Sequence, residues 1–257
     1  MNGFGFLGLR LAQGVRTGDF PPAEAALPER FRGRPVLDAA RCDDGCADCV
    51  SREPSRVLTL GADGRVRVDT GAALFAPEEA EACPALAFTR DYRLASTTRE
   101  GLVSPDGTVQ LARALDRASR RLFGRALRLR SVSAGSCNGC EAELVALGNV
   151  VFDLARFGVQ FVASPRHADG IVITGTVNAN MRQAVLDTWE AVPEPRIAIA
   201  VGACAIDGGP FRGSPAVRGL PQGFKVDLWV PGCPPHPLTI MDGLLRLLGR
   251  IEQGESP

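Results

Sequence analysis

The sequence lacks the features of several common protein classes. Its 257 residues include 29 basic and 29 acidic side chains. A net charge of zero argues against general nucleic-acid binding, which needs a basic surface. No apolar run approaches the ~18 residues of a membrane span. The N-terminal stretch does not show the charged, apolar and small-residue regions of a secretory signal in that order, so we expect a cytoplasmic protein.

The motifs of the commonest catalytic classes are also missing. The chain has two histidines, His167 and His236, which leaves little material for a Ser–His–Asp set. The glycines between Gly3 and Gly8 follow no predicted strand, so they do not form a dinucleotide-binding fingerprint. We therefore expect neither an independent hydrolase nor a phosphate-binding loop.

What the sequence does contain is eight cysteines in two sets of four. The first set is Cys42, Cys46, Cys49 and Cys83, and the second is Cys137, Cys140, Cys204 and Cys233. A cytosolic chain of this length needs no disulfides, and the cytosol keeps thiols reduced. The two sets therefore predict metal sites, with scattered core cysteines or disulfides as the alternative.

From about residue 127 the pattern predicts an α/β fold, a flavodoxin-like, doubly wound and mostly parallel sheet. Short apolar runs with little polar alternation are typical of strands buried on both faces. The predicted strands are 127–132, 159–163, 171–174, 197–201 and 226–230. The predicted helices are 141–157, 181–191 and 238–251.

The second cysteine set follows the carboxyl ends of these predicted strands. Cys137 and Cys140 come after the first run, while Cys204 and Cys233 each come three residues after a later run. Open α/β sheets bind ligands at this edge, so we expect the four thiols to converge. Four thiolates suit either zinc or a [4Fe–4S] cluster. Structural zinc usually takes two short cysteine pairs, whereas here one pair joins two single cysteines, which favours the cluster.

Four stretches of this region resemble the small, proximal-cluster subunit shared by [NiFe] hydrogenases and respiratory complex I. They are SCNGCEAEL (136–144), RFGVQFVASPRHADGIVITGTV (156–177), PEPRIAIAVGACAIDGG (193–209) and VDLWVPGCPPHP (226–237). Two residues separate Cys137 from Cys140, as in hydrogenases, whereas the corresponding cysteines of complex I are adjacent. The region most resembles the small subunit of energy-converting, formate-hydrogenlyase-type enzymes.

The resemblance implies that the second set ligates one [4Fe–4S] cluster and that this chain carries no catalytic residue of its own. The implied partners are a large catalytic subunit, of [NiFe]-hydrogenase or complex I 49 kDa type, and the membrane subunits of the same complex. A further electron-transfer protein or a formate-dehydrogenase-type subunit would exchange electrons with it. The complex would place the chain peripherally on the inner face of the cell membrane.

The first cysteine set resembles half of a two-cluster bacterial ferredoxin. The run is Cys42-x3-Cys46-x2-Cys49-x3-Glu53-Pro54, with glutamate at the fourth cysteine position. A second run ending at Cys83-Pro84 would place cysteines where Ala73, Ala76 and Glu79 stand. In such ferredoxins the fourth cysteine of each run ligates the other cluster. The retained cysteines are thus those of one complete site, and the lost ones are those of the other.

The chain therefore resembles a fusion of the ferredoxin-type and small subunits of one hydrogenase complex. The sequence predicts four segments: an N-terminal docking segment (1–30), a degenerate, small α+β ferredoxin-like domain with one [4Fe–4S] cluster (31–105), a basic linker helix (106–130) and the small-subunit-like domain (131–257). For the apolar helix within 1–30, packing on a neighbour remains the alternative to docking on a partner or membrane surface. For the linker, a solvated face remains the alternative to a basic contact surface.

Three residues near the second set are candidates for supporting roles. Glu141 and Glu143 begin the predicted helix and are either favoured there by its dipole or act as a proton relay. His236 is either a plain loop residue or a hydrogen-bond donor and redox-linked proton carrier beside the cluster.

The sequence thus predicts an electron-transfer subunit with two [4Fe–4S] clusters in a membrane-associated [NiFe]-hydrogenase complex. One alternative is the equivalent subunit of a complex-I-like, quinone-reducing oxidoreductase without hydrogenase activity. The other is a zinc-stabilised scaffold with no redox role.

Overall fold

Short helices and strands make up the N-terminal half in the structure, a computed structural model that describes residues 3–14, 17–22, 24–41, 46–53 and 55–251. They are α1 (Gly3–Gln13), β1 (Pro35–Leu37), α2 (Cys46–Arg52), β2 (Leu58–Leu60), β3 (Val66–Asp69), α3 (Pro77–Ala82), β4 (Leu86–Phe88) and β5 (Val103–Ser104). Strand β1 pairs antiparallel with β4, and β2, β3 and β5 form a second antiparallel sheet. The half is α+β, as expected, while its kinship to ferredoxins stays a prediction.

The C-terminal half is a parallel sheet with helices on both faces. Its elements are α4 (Arg117–Phe123), β6 (Leu127–Ser133), α5 (Gly139–Ala146), β7 (Val159–Phe161), β8 (Gly170–Thr174), α6 (Arg182–Glu190), β9 (Ile197–Val201), α7 (Ala203–Asp207), β10 (Leu228–Val230) and α8 (Pro237–Leu247). The strand order is β10-β9-β8-β6-β7, with every pairing parallel. When the five strands are numbered 1 to 5 along the chain and the sheet is read from β7, the order is 2-1-3-4-5, which is the flavodoxin-like doubly wound order. The predicted fold class is confirmed.

The central strands form where the sequence is apolar at every position. All five residues of β8 (GIVIT) and all five of β9 (IAIAV) are buried, because helices cover both faces of the sheet. One face packs against a core that includes Leu144, Ile240 and Leu244, and the other against a core that includes Val185. This double cover holds the carboxyl ends of the strands in fixed positions.

The first helix predicted for the C-terminal half is shorter than expected. The helix predicted over 141–157 ends at Ala146, and a separate 3-10 turn covers Leu154–Phe157. Between them the Asn149 side chain accepts the backbone N–H groups of Val151 and Phe152 at 2.9 and 3.0 Å, a turn that competes with helix.

The basic linker helix predicted over 106–130 is wrong in extent. Only Arg117–Phe123 is helical, and the Asp116 side chain caps its start by accepting from Ala118 N and Ser119 N. Residues 109–115 instead run extended, with Ala112 N donating to Ala95 O and Leu115 N to Leu247 O. From Leu127 the chain is already in β6. The arginines recur at helical spacing, but they lie in three different structures: the segment before α4, helix α4 itself and strand β6.

The N-terminal helix α1 forms, but its apolar side chains do not pack on the described part of the chain. Phe6, Leu7, Leu9 and Leu11 are between 50% and 82% exposed. Docking of this helix stays a prediction. Among the residues that the structure describes, no helix is long and apolar enough to cross a membrane.

The two halves meet at the edge of the parallel sheet. Ser96 pairs with Trp229 of β10 through two backbone hydrogen bonds of 3.0 and 2.8 Å. This contact covers the outer edge of β10, the strand that leads to Cys233.

Helix α8, which follows Cys233, is buried along its whole length and contains a buried ion pair. Arg246 Nε donates to Asp242 Oδ2 at 2.9 Å, and both side chains are at most 3% exposed. Replacing Asp242 by alanine leaves a guanidinium in the core without this partner. We expect Asp242→Ala to lower the free energy of unfolding by about 3–5 kcal/mol, measured by thermal denaturation of the purified protein.

The matched control for this prediction is the double variant Asp242→Leu with Arg246→Met. Removing both charges leaves neither group buried without its ion-pair partner, so the double variant should unfold close to the native midpoint. A double variant as unstable as the single one would contradict the explanation.

Candidate metal centre

The four cysteines of the second set lie at one edge of the parallel sheet. Cys137 and Cys140 follow β6, Cys204 lies in α7 directly after β9, and Cys233 follows β10. The carboxyl ends of parallel strands meet at the same edge, which is why residues distant in sequence converge there.

Backbone hydrogen bonds hold the loops that carry these cysteines together. Gly202 N donates to Val230 O at 2.8 Å and Ala203 N to Gly232 O at 2.9 Å, which joins the loops after β9 and β10. The loop after β6 turns at Asn138, whose φ of 71° is left-handed, a conformation that asparagine tolerates.

The four thiols are close enough to influence one another's ionisation. Burial, followed by the charges of Glu141, Cys204, Cys233 and Cys137, raises the pKa of Cys140 to about 12. Burial, with Cys233 and Cys137 next, raises the pKa of Cys204 to about 11. Metal binding therefore has to displace protons from these thiols.

Two glycines leave room for the sulfur atoms. A Cβ on Gly202 would lie 2.5 Å from Cys140 Sγ, and one on Gly209 would lie 2.8 Å from Cys204 Sγ. Both have positive φ, 90° and 52°. Any larger residue would push into a sulfur and strain the backbone.

The donor set fits an iron–sulfur cluster. It consists of four thiols on Gly- and Pro-rich loops, and cysteine thiolates are the ligands that hold [4Fe–4S] clusters. Cys140 is buried, whereas Cys137 and Cys233 are exposed, so a bound group would lie half in the protein and half at its surface. Within the described ranges, no three His, Cys, Asp or Glu side chains form a group suited to a single metal ion.

Glu141 is fixed by hydroxyl groups behind the cysteines. Its Oε1 accepts from Ser136 Oγ at 2.6 Å and from Thr174 Oγ1 at 2.5 Å. Burial acts to raise the pKa of Glu141, but the hydrogen bonds from Ser136, Thr174 and Ser133 outweigh it and lower that pKa. Its Oε2 is buried and has no hydrogen-bond partner in the part of the chain that is described.

His236 and Glu143 line a second wall of the site. Together with Gly232 and Pro234 they border a cavity of about 210 Å³ beside the Cys233 loop. His236 Nδ1 accepts from Leu238 N at 3.2 Å and so caps α8, which leaves Nε2 as the nitrogen free to donate. Burial lowers the pKa of His236 and raises that of Glu143.

Two aromatic rings fix the imidazole of His236. Phe31 and Phe152 each meet it edge to face, with ring centroids 5.6 and 6.1 Å away. Nothing in the sequence pattern linked these residues, which come from the two different halves.

Of the first cysteine set, the structure brings Cys49 and Cys83 together. Cys83 is buried in the N-terminal core against Cys49, and burial followed by the neighbouring Cys49 thiol raises its pKa. Cys46 begins α2. Cys42 lies outside the described residues, so the predicted four-cysteine arrangement stays a prediction.

The four positions that lack the expected cysteines also lie together. Ser55 Oγ hydrogen-bonds to Oε1 of Glu53 at 2.6 Å and to Oε1 of Glu79. Glu79 accepts from Leu74 N at 2.7 Å and Ala76 N at 3.0 Å, directly beside positions 73 and 76. Glu79 is completely buried, Glu53 is 5% exposed, and Ala73 is in the same core. Sequence reasoning found the four positions but missed Ser55, which no motif marks.

Comparison with known proteins agrees with this geometry. The profile of the NADH ubiquinone oxidoreductase, 20 kDa subunit, matches residues 137–247 and so spans all four cysteines of the second set. A relative from Pyrococcus furiosus, described as probable membrane-bound hydrogenase subunit mbhJ, is 40% identical over 141 residues, covering 53% of this chain and 84% of the relative. The chain belongs to this 20 kDa subunit family.

Two further relatives come from different kinds of complex. Formate hydrogenlyase subunit 7 of Escherichia coli is 43% identical over 123 residues, and this chain spans about half of it, with 48% of each protein covered. A subunit of the NADH-quinone oxidoreductase of Citrifermentans bemidjiense is 44% identical over 112 residues, covering 44% of this chain and 66% of the relative. The predicted resemblance of the C-terminal half to the small-subunit family is confirmed, while the fusion with a ferredoxin-type subunit stays a prediction.

The glycine at position 202 offers a direct test of the sulfur cradle. Gly202→Ala should lower iron bound per chain, because the new methyl group collides with Cys140 Sγ, and the measurement is iron and sulfide content after anaerobic purification. Gly213→Ala is the matched control, since Gly213 also has positive φ (80°) but nothing within 4 Å of its Cβ position. Equal iron loss in both variants would show that backbone strain alone is responsible.

Proposed function

We propose that the chain is the iron–sulfur electron-transfer subunit of a membrane-associated [NiFe]-hydrogenase complex. The observation that carries the proposal is the convergence of Cys137, Cys140, Cys204 and Cys233 at one sheet edge, where glycines make room for their sulfur atoms. The family and the hydrogenase relatives support it.

When bound, a [4Fe–4S] cluster supplies a site that accepts and releases one electron at a time. The residues of this chain hold and shield it. Cys140 anchors it in the core, and the loops tied by Gly202 and Ala203 keep Cys204 and Cys233 in place. We propose that His236 donates from Nε2 toward the cluster, because its Nδ1 is occupied as a helix cap.

The exposed sides of Cys137 and Cys233 give the centre an open face. We propose that a large catalytic subunit covers this face, either of [NiFe]-hydrogenase type or of complex I 49 kDa type. Glu141 and Glu143 begin α5 at the same edge and are the proposed proton-relay residues toward that subunit. Membrane subunits of the complex would hold the chain on the inner face of the cell membrane.

A second [4Fe–4S] cluster is proposed for Cys42, Cys46, Cys49 and Cys83. The contact between Cys49 and Cys83 supports it, because these come from different runs of the sequence. A further electron-transfer protein or a formate-dehydrogenase-type subunit is the proposed exchange partner of the complex.

The alternative function is that of a complex-I-like subunit that passes electrons to quinone. The identity to the NADH-quinone oxidoreductase relative favours it, whereas the two residues between Cys137 and Cys140 favour hydrogenase. Purification of the native complex decides between them. Hydrogen-dependent dye reduction, with nickel in the large subunit, supports hydrogenase; quinone reduction without nickel supports the alternative.

Metal analysis tests the redox role itself. We expect about eight irons and a matching amount of acid-labile sulfide per chain after anaerobic purification, since each cluster holds four irons. Zinc without labile sulfide would instead identify a zinc-stabilised scaffold.

Single cysteine replacements test the assignment of ligands to two separate centres. Cys83→Ser should abolish one EPR signal of the reduced protein and leave the other. Cys83 belongs to the first set only, so the second cluster keeps all of its ligands. Cys204→Ser is the matched variant and should abolish the signal that Cys83→Ser retains. If Cys83→Ser leaves both signals intact, the first set is assigned wrongly.

A further inference from the structure

Two of the lost cysteine positions lie one helical turn from two of the retained cysteines, on a pair of short helices. Helix α2 carries Cys46 and Cys49 and is followed at once by Glu53. Helix α3 carries Glu79 in its first turn and is followed at once by Cys83. Since Cys49 contacts Cys83 and Ser55 bridges Glu53 to Glu79, the two helices run antiparallel. Glu53 N donates to Cys49 O at 3.0 Å, and Glu79 lies four residues before Cys83, so each lost position is about 6 Å along its helix from a retained cysteine.

The end with the lost positions is the one that faces the second cysteine set. Phe75, in the loop before α3, borders the cavity of about 210 Å³ together with Gly232 and Pro234 of the Cys233 loop. Arg32 Nη1 donates to Phe75 O at 3.2 Å and closes the same side of this cavity. After burial and Cys137, Glu79 is the next group that raises the pKa of Cys233, which places its carboxyl within electrostatic reach of that thiol.

The interior at this end is filled. Glu79 receives two backbone N–H groups and shares the Ser55 hydroxyl with Glu53, which in turn accepts from Ser55 N at 2.6 Å. Burial raises the pKa of the Glu79 carboxyl, which favours the form that holds a proton. The network therefore satisfies buried backbone donors that would otherwise face an empty cluster site.

We propose that the Glu53–Ser55–Glu79 network fills the place of a cluster that would stand between the two cysteine sets, so that the two remaining centres are not direct neighbours. The proposal rests on the proposed function, because it assumes a cluster at each set. The network lies one helical turn from Cys49 and Cys83, on the side that borders the Cys233 loop, so it stands between the first centre and the second.

The first test measures magnetic interaction between the two clusters in the purified full-length protein. When both are reduced, we expect two separate EPR signals without mutual splitting. Strong splitting would show that the two centres are direct neighbours and would overturn the proposal while leaving the proposed function intact. Absence of iron and sulfide would instead overturn the proposed function.

The second test restores the missing ligands with Glu53→Cys, Ala73→Cys, Ala76→Cys and Glu79→Cys in one chain. After anaerobic reconstitution we expect about four more irons per chain than in the native protein, and splitting of both original signals by the new cluster. The matched control carries only Ala73→Cys and Ala76→Cys, which leaves the carboxyl network in place and should gain no cluster.

The restored variant must retain both original EPR signals, which shows that it has folded. A folded variant that gains no iron over the control would overturn the assignment of the place. If the variant does not fold, the splitting measurement on the native protein decides the question alone.

Discussion

The structure depends on one constraint, that four cysteines from three separate loops lie at one edge of the parallel sheet. A parallel sheet meets this constraint because β6, β9 and β10 all end at the same edge. The remaining freedom is removed by the hydrogen bonds between the loops after β9 and β10 and by the absence of side chains at Gly202 and Gly209. Glu141 and His236 lie next to the loops that carry these cysteines.

The N-terminal half is attached so that it supports the same edge. Ser96 pairs with Trp229 on β10, and Phe31 packs on His236 two residues after Pro234. Cys49 and Cys83 lie together, and the buried carboxyl groups of Glu53 and Glu79 lie one helical turn from them, on the side that borders the Cys233 loop. Protein side chains therefore fill the interface between the two halves, at positions where the sequence pattern resembles a cofactor site.

Much of the C-terminal half was predictable because its signals are local and strong. Strand β9 has the predicted bounds, because five consecutive apolar residues between polar flanks favour a buried strand of that length. Residues 141–157 and 106–130 were predicted as single helices because apolar or basic residues recur at helical spacing. The first helix ends at Ala146, before a turn held by the Asn149 side chain, and the second begins only at Arg117, where the Asp116 side chain caps it. Such local competition is decided by the surrounding packing, which periodicity does not contain.

By itself the sequence determined the fold class, the placing of four cysteines after strand ends, and the division of eight ferredoxin-like positions into four that keep cysteine and four that lack it. These features follow from the hydrophobic periodicity and from the spacing of the cysteines, both of which can be read directly from the sequence. Only the tertiary structure decided that Ser55 joins Glu53 to Glu79, that Phe31 and Phe152 enclose His236, and which end of α2 and α3 faces Cys233. Those contacts join residues from distant positions, and they arise only when the two halves are packed against one sheet edge.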